Sequence, residues 1–449
     1  MKHLSIARAI ACLVILTMLA LPGPVTKAFA AEKAQTFDLK KVSLLDIDIP
    51  PSSRYMVMAP HYAPGILTSK SPKDDNVKAY PKLKSDKPLY GHLLLGSSYT
   101  ISDSRNKKMF FVLDESKGTG KGYDTITVDA NFDNDLTNDK AVNIAKKSPL
   151  DFMNSGSRNN TLLFDSLKIK PQGQELTIWP LVVKYNNDMF RVGFFCENAY
   201  VGKIKLIGKT KDVLVTQSQC ISIAFDSPAT HIFFMNKDRY SSVVAGQYHL
   251  ADGMYWTFAP SENGDKLAVN PYMGKLGKLK LSCGDLNVNA SNVTLTSSAS
   301  YLRVDANSGF LKDSTLTLPV GKYKISGVSL IAGDYDVRLA NYSDDSTAAF
   351  PLEITADKTI DLDIKSLKAV FNAPAKDNVK IKNNSMYVSA YFCNPKLGVK
   401  LSSIQDKSKV VREVKSGNGT YKYYERLEPA VKIFDSTGKE IAQGKMPFG

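Results

Sequence analysis

The stretch Val182-Val-Lys-Tyr-Asn-Asn-Asp-Met-Phe-Arg-Val-Gly-Phe-Phe195 decides the fold class. Two runs rich in β-branched and aromatic residues, which favour strands, flank a polar centre. That centre is Asn186-Asn187-Asp188, and Asn and Asp tolerate the backbone conformations of tight turns. The stretch therefore predicts a β-hairpin.

The same signals recur along the chain, whereas amphipathic helices of ten or more residues are hard to find. Lys108–Leu113 predicts a buried strand. Thr315–Ile325 alternates with a period of two around a Pro-Val-Gly-Lys turn, and Val431–Ile441 predicts a hairpin that turns at Gly438. We therefore predict an all-β protein.

Length and composition predict an ordinary folded chain of several domains. The 449 residues are 43% hydrophobic and 23% charged, which argues against disorder and coiled coils. From residue 276 onward the turn signals recur regularly, as in immunoglobulin-like sandwiches. The predicted organisation is a signal peptide (1–30), an extended N-terminal arm (31–80), a larger β domain (81–275) and one or two immunoglobulin-like β-sandwich modules (276–370 and 371–449).

The first residues have the pattern of an export signal. Lys2 and Arg8 are positive, Ala9–Leu21 is apolar, and Ala28-Phe29-Ala30 fits a cleavage site. The apolar run is short for a membrane span of about 20 residues. We expect an exported protein, periplasmic or extracellular, with no transmembrane segment after cleavage.

Net charge and cysteine content say little about the binding partners of the protein. The formal charge is +14, but no nucleic-acid-binding signature accompanies it. We therefore expect no nucleic acid partner and leave weak attraction to anionic polysaccharide or lipid headgroups open. Export permits disulfides, and spacing does not choose a pairing among the four cysteines of the mature chain, Cys196, Cys220, Cys283 and Cys393.

The stretch Asp129-Ala-Asn-Phe-Asp-Asn-Asp-Leu-Thr-Asn-Asp139 is the most informative for function. Acid or amide side chains at alternate positions can direct several oxygens at one hard cation, and Ca²⁺ prefers such oxygen ligands. Asn134 stands at the sharp turn and is suited to a left-handed conformation. The predicted calcium ligands are Asp129, Asn131, Asp133, Asp135 and Asp139.

The spacing resembles the calcium loops of EF-hands and dockerins. Asp129, Asn131 and Asp133 match ligand positions 1, 3 and 5, whereas Asn134 replaces the usual Gly and Lys140 replaces the bidentate acid at position 12. The preceding Tyr123–Val128 predicts a strand rather than a helix. More loosely, the segment 87–139 resembles a pattern in uncharacterised secreted proteins of environmental bacteria, which implies no activity.

No complete catalytic signature is present, so no catalytic or cofactor-binding residue is assigned. The weaker candidates are single residues of suitable chemistry. They are a nucleophile and base set (Cys220, His231, His249), acids for glycoside hydrolysis (Asp226, Asp252, Glu262) and a sugar-stacking group (Tyr421, Tyr423, Tyr424, Arg426).

The sequence thus predicts a secreted calcium-binding β protein with a structural or extracellular binding role. Its partners would be polysaccharide or cell-surface components. The alternative is an exported hydrolase that acts on polysaccharide, and whether the chain is an enzyme stays open.

Overall fold

Short strands account for most of the chain, and the prediction of a mainly β protein is confirmed. The computed structural model describes residues 33–68, 70–97, 102–118, 122–146, 160–186, 188–251, 253–297, 301–305, 311–342, 352–372, 389–394, 397–416 and 419–445. The predicted signal peptide, residues 1–30, lies outside these ranges.

The first part of the chain contains, within the described ranges, eighteen strands and one α-helix, α1 (Pro51–Val57). The strands are β1 (Gln35–Asp38), β2 (Lys40–Ser43), β3 (His61–Tyr62), β4 (Leu89–Ser97), β5 (Ser102–Asp114), β6 (Thr125–Val128), β7 (Val142–Asn143), β8 (Thr161–Leu163), β9 (Leu167–Ile169), β10 (Leu176–Asn186), β11 (Met189–Cys196), β12 (Asn198–Leu206), β13 (Lys209–Thr216), β14 (His231–Phe234), β15 (Ser241–Val244), β16 (His249–Ala251), β17 (Met254–Pro260) and β18 (Lys266–Pro271).

The second part, where the structure describes it, consists of strands and one short 3₁₀ turn, Ile364–Ser366. The strands are β19 (Leu276–Ser282), β20 (Val288–Ser297), β21 (Tyr301–Asp305), β22 (Leu311–Lys312), β23 (Thr315–Pro319), β24 (Gly321–Ala332), β25 (Tyr335–Asn341), β26 (Leu352–Ile354), β27 (Thr359–Asp363), β28 (Lys368–Asn372), β29 (Ser389–Asn394), β30 (Val399–Ser416), β31 (Gly419–Arg426), β32 (Ala430–Phe434) and β33 (Glu440–Lys445).

Four sheets build the first part. Their strand orders are β1-β18-β17-β16, β3-β11-β10-β8 with β9 also on β10, β15-β14-β13-β12-β2, and β4-β5-β6-β7. The segment interpreted as an extended arm thus supplies β1, β2 and β3 to three of these sheets. Strands of two to four residues are too short for a period of two to be visible in the sequence, which is why the segment lacked periodicity.

The predicted hairpin at 182–195 is confirmed, because β10 and β11 pair with Val182 opposite Val192. Both faces of this hairpin are covered. Val182 and Phe194 enter a large core shared with β4, β5, β13 and β17, whereas Leu181 and Phe195 enter a smaller core formed with residues 44–58 around α1. Burial on both faces explains why this stretch is apolar without strict alternation.

The predicted buried strand at 108–113 is also confirmed, as the centre of β5. Its residues alternate between two apolar environments. Met109, Phe111 and Leu113 belong to the large core, while Phe110 and Val112 pack with Leu136 on the other face. The second environment matters for function, because Leu136 belongs to the predicted calcium loop.

Two sheets enclose the core of the second part. One has the order β22-β23-β19-β27, and the other runs β21-β20-β24-β25-β30-β29-β28, with β26 on β24 and β31 on β30. Leucines from β19, β23 and β27 meet residues of β20, β24 and β25 between the sheets. Because β25 pairs with β30, backbone hydrogen bonds cross residue 370, where the sequence predicts a boundary between two modules.

The two strands predicted within 315–325 are present, but they belong to different sheets. β23 pairs with β19 and β22, and β24 pairs with β20, β25 and β26. The Pro-Val-Gly turn therefore carries the chain across the core. Alternation of apolar and polar residues with a period of two indicates which face of a strand is buried, but it does not identify the strand that pairs with it.

The hairpin predicted at 431–441 is confirmed by the pairing of β32 with β33, and Gly438 has the positive φ that its turn requires. In the part of the chain that the structure describes, no helix is long and apolar enough to cross a membrane.

Candidate calcium loop and adjoining groove

The predicted calcium loop leaves the sheet directly after β6. The backbone N–H of Asp129 still donates to the carbonyl of Phe110 on β5, at 2.9 Å, so the first predicted ligand is attached to a core strand. Asp129 is fully buried. Further along, the N–H of Lys170 donates to the carbonyl of Ala130, at 3.0 Å. The start of the loop is therefore held on two sides.

A second set of contacts holds the middle of the loop. The N–H of Lys78 donates to the carbonyl of Asn134 at 2.8 Å, and the N–H of Leu136 donates to the carbonyl of Ala79 at 3.0 Å. The Leu136 side chain is fully buried against Phe110 and Val112. Burial of a leucine side chain stabilises by about 1.5–3 kcal/mol, so this residue anchors the loop to β5.

Inside the loop, acid and amide side chains accept bonds from backbone N–H groups. Asp129 receives the N–H groups of Asp133 and Asn134, at 3.2 and 3.1 Å. Asn131 receives Asp133 N–H at 3.0 Å, and Asp133 receives Asp135 N–H at 2.8 Å. These last two bonds, to residues two positions ahead, are turn-forming contacts that Asn and Asp make readily.

Two residues of the loop have a left-handed backbone, Phe132 with φ 62° and Asn134 with φ 65°. The expectation for Asn134 is confirmed. A non-glycine residue in this region costs conformational energy, so the surrounding hydrogen bonds must stabilise the loop. Phe132 is partly buried against the large core, which adds an apolar anchor at the first of the two positions.

The negative charges of the loop are only partly compensated. Partial burial raises the pKa of Asp139 to about 6, and the charges of Asp129, Asp133 and Asp135 add to the rise. Oδ1 of Asp139 accepts the N–H of Ala130 at 3.1 Å, but its Oδ2 is buried with no hydrogen-bond partner among the described residues. Burial also raises the pKa of Asp129. A cation is the partner that such oxygens lack.

The five predicted ligands are not gathered around one point. Asn131 donates to Asp133 Oδ2 at 3.0 Å, so these two are in contact, while Asp135 accepts from the hydroxyl of Thr137 at 2.6 Å. Within the described ranges, no group of three or more His, Cys, Asp or Glu side chains is close enough to hold a metal ion. Calcium would have to draw the carboxylates out of their present hydrogen bonds.

Asn138 is a loop residue that the sequence reasoning did not select. Its amide donates to Asp133 Oδ2 at 2.7 Å, and its Oδ1 lies 3.4 Å from the Asn131 amide nitrogen. The amide of Asn138 therefore sits beside two predicted ligands. Its place between Thr137 and Asp139 in the same polar run was the available signal.

A groove of about 540 Å³ opens beside the loop. The rings of Tyr80 and Tyr90 meet edge to face within it, with centroids 4.8 Å apart. The ammonium of Lys73 lies 5.5 and 5.6 Å from these two ring centroids. Lys78 and Ala79, which bond to the calcium loop, form part of the lining. The groove and the loop therefore share a wall.

In the proposed nucleophile and base set, Cys220 is buried, and His231 and His249 are partly buried. Burial raises the pKa of Cys220 to about 12 and lowers the pKa of His231 and of His249 to about 4. His231 stacks on Phe233 and His249 on Phe234. A thiol with a raised pKa is a poor nucleophile, so these residues are better explained by packing.

Of the other weak candidates, Asp226 and Glu262 lie close in the fold, because the N–H of Phe225 donates to the carbonyl of Glu262 at 2.9 Å. Asp226 forms an ion pair with Arg105, with an Nη2–Oδ1 distance of 2.9 Å, and Asp252 lies outside the described residues. On β31, Tyr421 and Tyr423 are two residues apart and so face one side of the strand, whereas Tyr424 faces the other. The thiols of Cys196, Cys220 and Cys283 are free in the structure.

Comparison with protein-family models, with curated proteins and with solved structures gives no match to this chain. The functional conclusion therefore depends on the geometry of the loop and the groove.

Proposed function

We propose that this chain is an exported calcium-binding β protein with a structural or binding role at the cell exterior. The observation that carries the proposal is Asp139: in the part of the chain that the structure describes, its Oδ2 is buried without a partner, and burial and neighbouring acids raise its pKa to about 6. A divalent cation would compensate this charge. The resemblance to EF-hand and dockerin loops, in the residues Asp129, Asn131 and Asp133, supports the same ion.

The attachment of the loop supports a structural role for calcium. Asp129 follows a core strand, and Leu136 packs on the face of β5 opposite the large core. An ion that held Asp129, Asp133 and Asp139 together would join the two ends of the loop. The ion would therefore add a constraint between β6 and the segment that precedes β7.

The same proposal also covers the type of the second domain, export and the alternative of an enzyme. Of the one or two immunoglobulin-like modules predicted from residue 276 onward, we infer one, which is supported by two sheets around one core and by the pairing of β25 with β30. The proposal that the protein is exported is supported by the signal-peptide pattern of residues 1–30. The alternative, an exported hydrolase that acts on polysaccharide, has less support, because Asp226 is ion-paired with Arg105 and burial raises the pKa of Cys220 to about 12.

Direct calorimetry of the chain, freed of divalent ions and titrated with CaCl₂, tests the proposal. We expect one site with a dissociation constant of about 10⁻⁴ to 10⁻³ M, the range of extracellular calcium modules. MgCl₂ is the matched control, because Mg²⁺ requires a tighter octahedron and releases its waters reluctantly. If neither heat nor a change in melting temperature accompanies calcium addition, the loop is an acidic turn and the proposal fails.

A further inference from the structure

The groove beside the calcium loop combines three kinds of chemistry in one place. Its floor is aromatic and apolar, since Tyr80, Leu83 and Tyr90 pack on Phe110 and Val112 of β5. Its volume of about 540 Å³ lies within the range of about 300–1,000 Å³ found for small-molecule sites. The floor therefore rests on a central strand of the sheet.

Charges of both signs flank the floor: Lys73 and Lys78 line it, while Asp74 donates its backbone N–H to the Tyr80 hydroxyl at 3.2 Å and the Asp133 carboxylate lies near Lys78. Lys73 and Lys78 are both exposed and both line the groove. The ammonium of Lys73 is held above the two tyrosine rings by cation–π contact, at 5.5 and 5.6 Å from their centroids. This contact positions a cation directly over an aromatic surface. Among the described residues that line the groove, the only acid is the exposed Asp86.

This combination selects among ligand classes. The lysines suit a carboxylate, the tyrosine rings and prolines Pro81 and Pro88 suit the apolar face of a ring, and Asp86 can accept hydrogen bonds from hydroxyl groups. A sugar that carries a carboxylate presents all three features. A simple anion would use the lysines alone, and a neutral sugar would leave their charges unused.

We propose that this groove binds an acidic saccharide through Lys73 and Lys78, with a sugar ring against Tyr80 and Tyr90. The proposal names a ligand class for the extracellular binding role and rests on that proposed role. It does not require calcium in the loop. Because Lys78 and Ala79 bond to Asn134 and Leu136, an occupied loop would hold one wall of the groove.

The test is calorimetry of the full chain with tetragalacturonate in the presence of chelator, so that calcium contributes nothing. Galactotetraose is the neutral control, and inorganic phosphate is the control for a simple anion. The variant Lys73→Gln/Lys78→Gln removes both charges. Lys205→Gln is the matched single-charge control, since Lys205 is exposed on β12, in another sheet.

We expect tetragalacturonate to bind and galactotetraose to bind at least about tenfold more weakly. The double variant should bind tetragalacturonate about tenfold more weakly, because it loses two exposed charge contacts that each contribute little. Lys205→Gln should bind with the affinity of the wild type. The proposal is overturned by absence of tetragalacturonate binding, by equal affinity for the neutral tetramer or phosphate, or by an unchanged double variant. A failed calcium titration would leave these results in chelator intact, so the two proposals fail separately.

Discussion

Replacement of Asp129 by Asn should abolish stabilisation by calcium and should disturb the loop less than replacement by Ala. Oδ1 of Asp129 accepts the N–H of Asp133 and Oδ2 accepts that of Asn134, so the introduced amide would keep one acceptor and lose the other, whereas Asp129→Ala would lose both. Loss of such an acceptor costs about 1–3 kcal/mol. The amide substitution therefore removes the charge of the ligand with the loss of one turn hydrogen bond, and Asp129→Ala removes it with the loss of two.

The size of the calcium effect follows from linkage. With a dissociation constant of about 10⁻⁴ to 10⁻³ M and free calcium near 10 mM, the wild-type protein gains about 1.4–2.7 kcal/mol. For a chain of this size the melting temperature should rise by a few degrees. In chelator, Asp129→Asn should melt below the wild type, because one N–H loses its acceptor at a cost of about 1–3 kcal/mol, and removal of a charge that burial disfavours offsets only part of that cost.

The assay is a thermal melt of each protein in calcium and in chelator. Asp435→Asn is the matched control, because the Asp435 carboxylate also accepts backbone N–H groups in a turn, from Thr437 at 2.9 Å and Lys439 at 3.0 Å. Asp435 lies on the β32–β33 hairpin, outside the loop. The control should keep the full calcium shift. A shift of equal size in Asp129→Asn would refute the assignment of Asp129 as a ligand.

Three further predictions follow from other parts of the chain. Burial lowers the folded-state pKa of His231 to about 4, so between pH 6.5 and 4 the unfolded chain binds more protons than the folded chain. The free energy of unfolding therefore falls as the pH falls through that window. His231→Phe should reduce this loss by roughly 3 kcal/mol, as measured by urea unfolding at several pH values, and an equal pH dependence in the two proteins would contradict the prediction. Tyr255 lies on β17 but packs in the core of the second part, and its hydroxyl donates to the carbonyl of Thr317 at 2.7 Å. Urea unfolding should show that Tyr255→Ala lowers the free energy of unfolding by about 3–5 kcal/mol and Tyr255→Phe by only about 1 kcal/mol. Equal losses in the two variants would show that packing does not dominate. N-terminal sequencing of the exported protein should begin at Ala31, and a chain that still begins at Met1 would contradict the signal peptide.

Local chemistry made part of the candidate site predictable. Asn and Asp bond to backbone groups two residues ahead, so the polar run 129–139 determines a turn whatever surrounds it. For the same reason the left-handed conformation of Asn134 was predictable. Asn138 was missed because its contact with Asp133 spans five residues and depends on how the loop closes.

The sequence by itself determined that the protein is mainly β, since β-branched and aromatic runs between turn residues leave few other structures open. It also determined the hairpins at 182–195 and 431–441, whose partners are adjacent in the chain. Only the tertiary structure decided that β19 pairs in parallel with β27, and that Leu136 packs under residues 77–90 to join the loop to the groove. The physical reason is that a hydrophobic pattern reports whether a side chain is buried, while the identity of a distant partner depends on how whole sheets pack together.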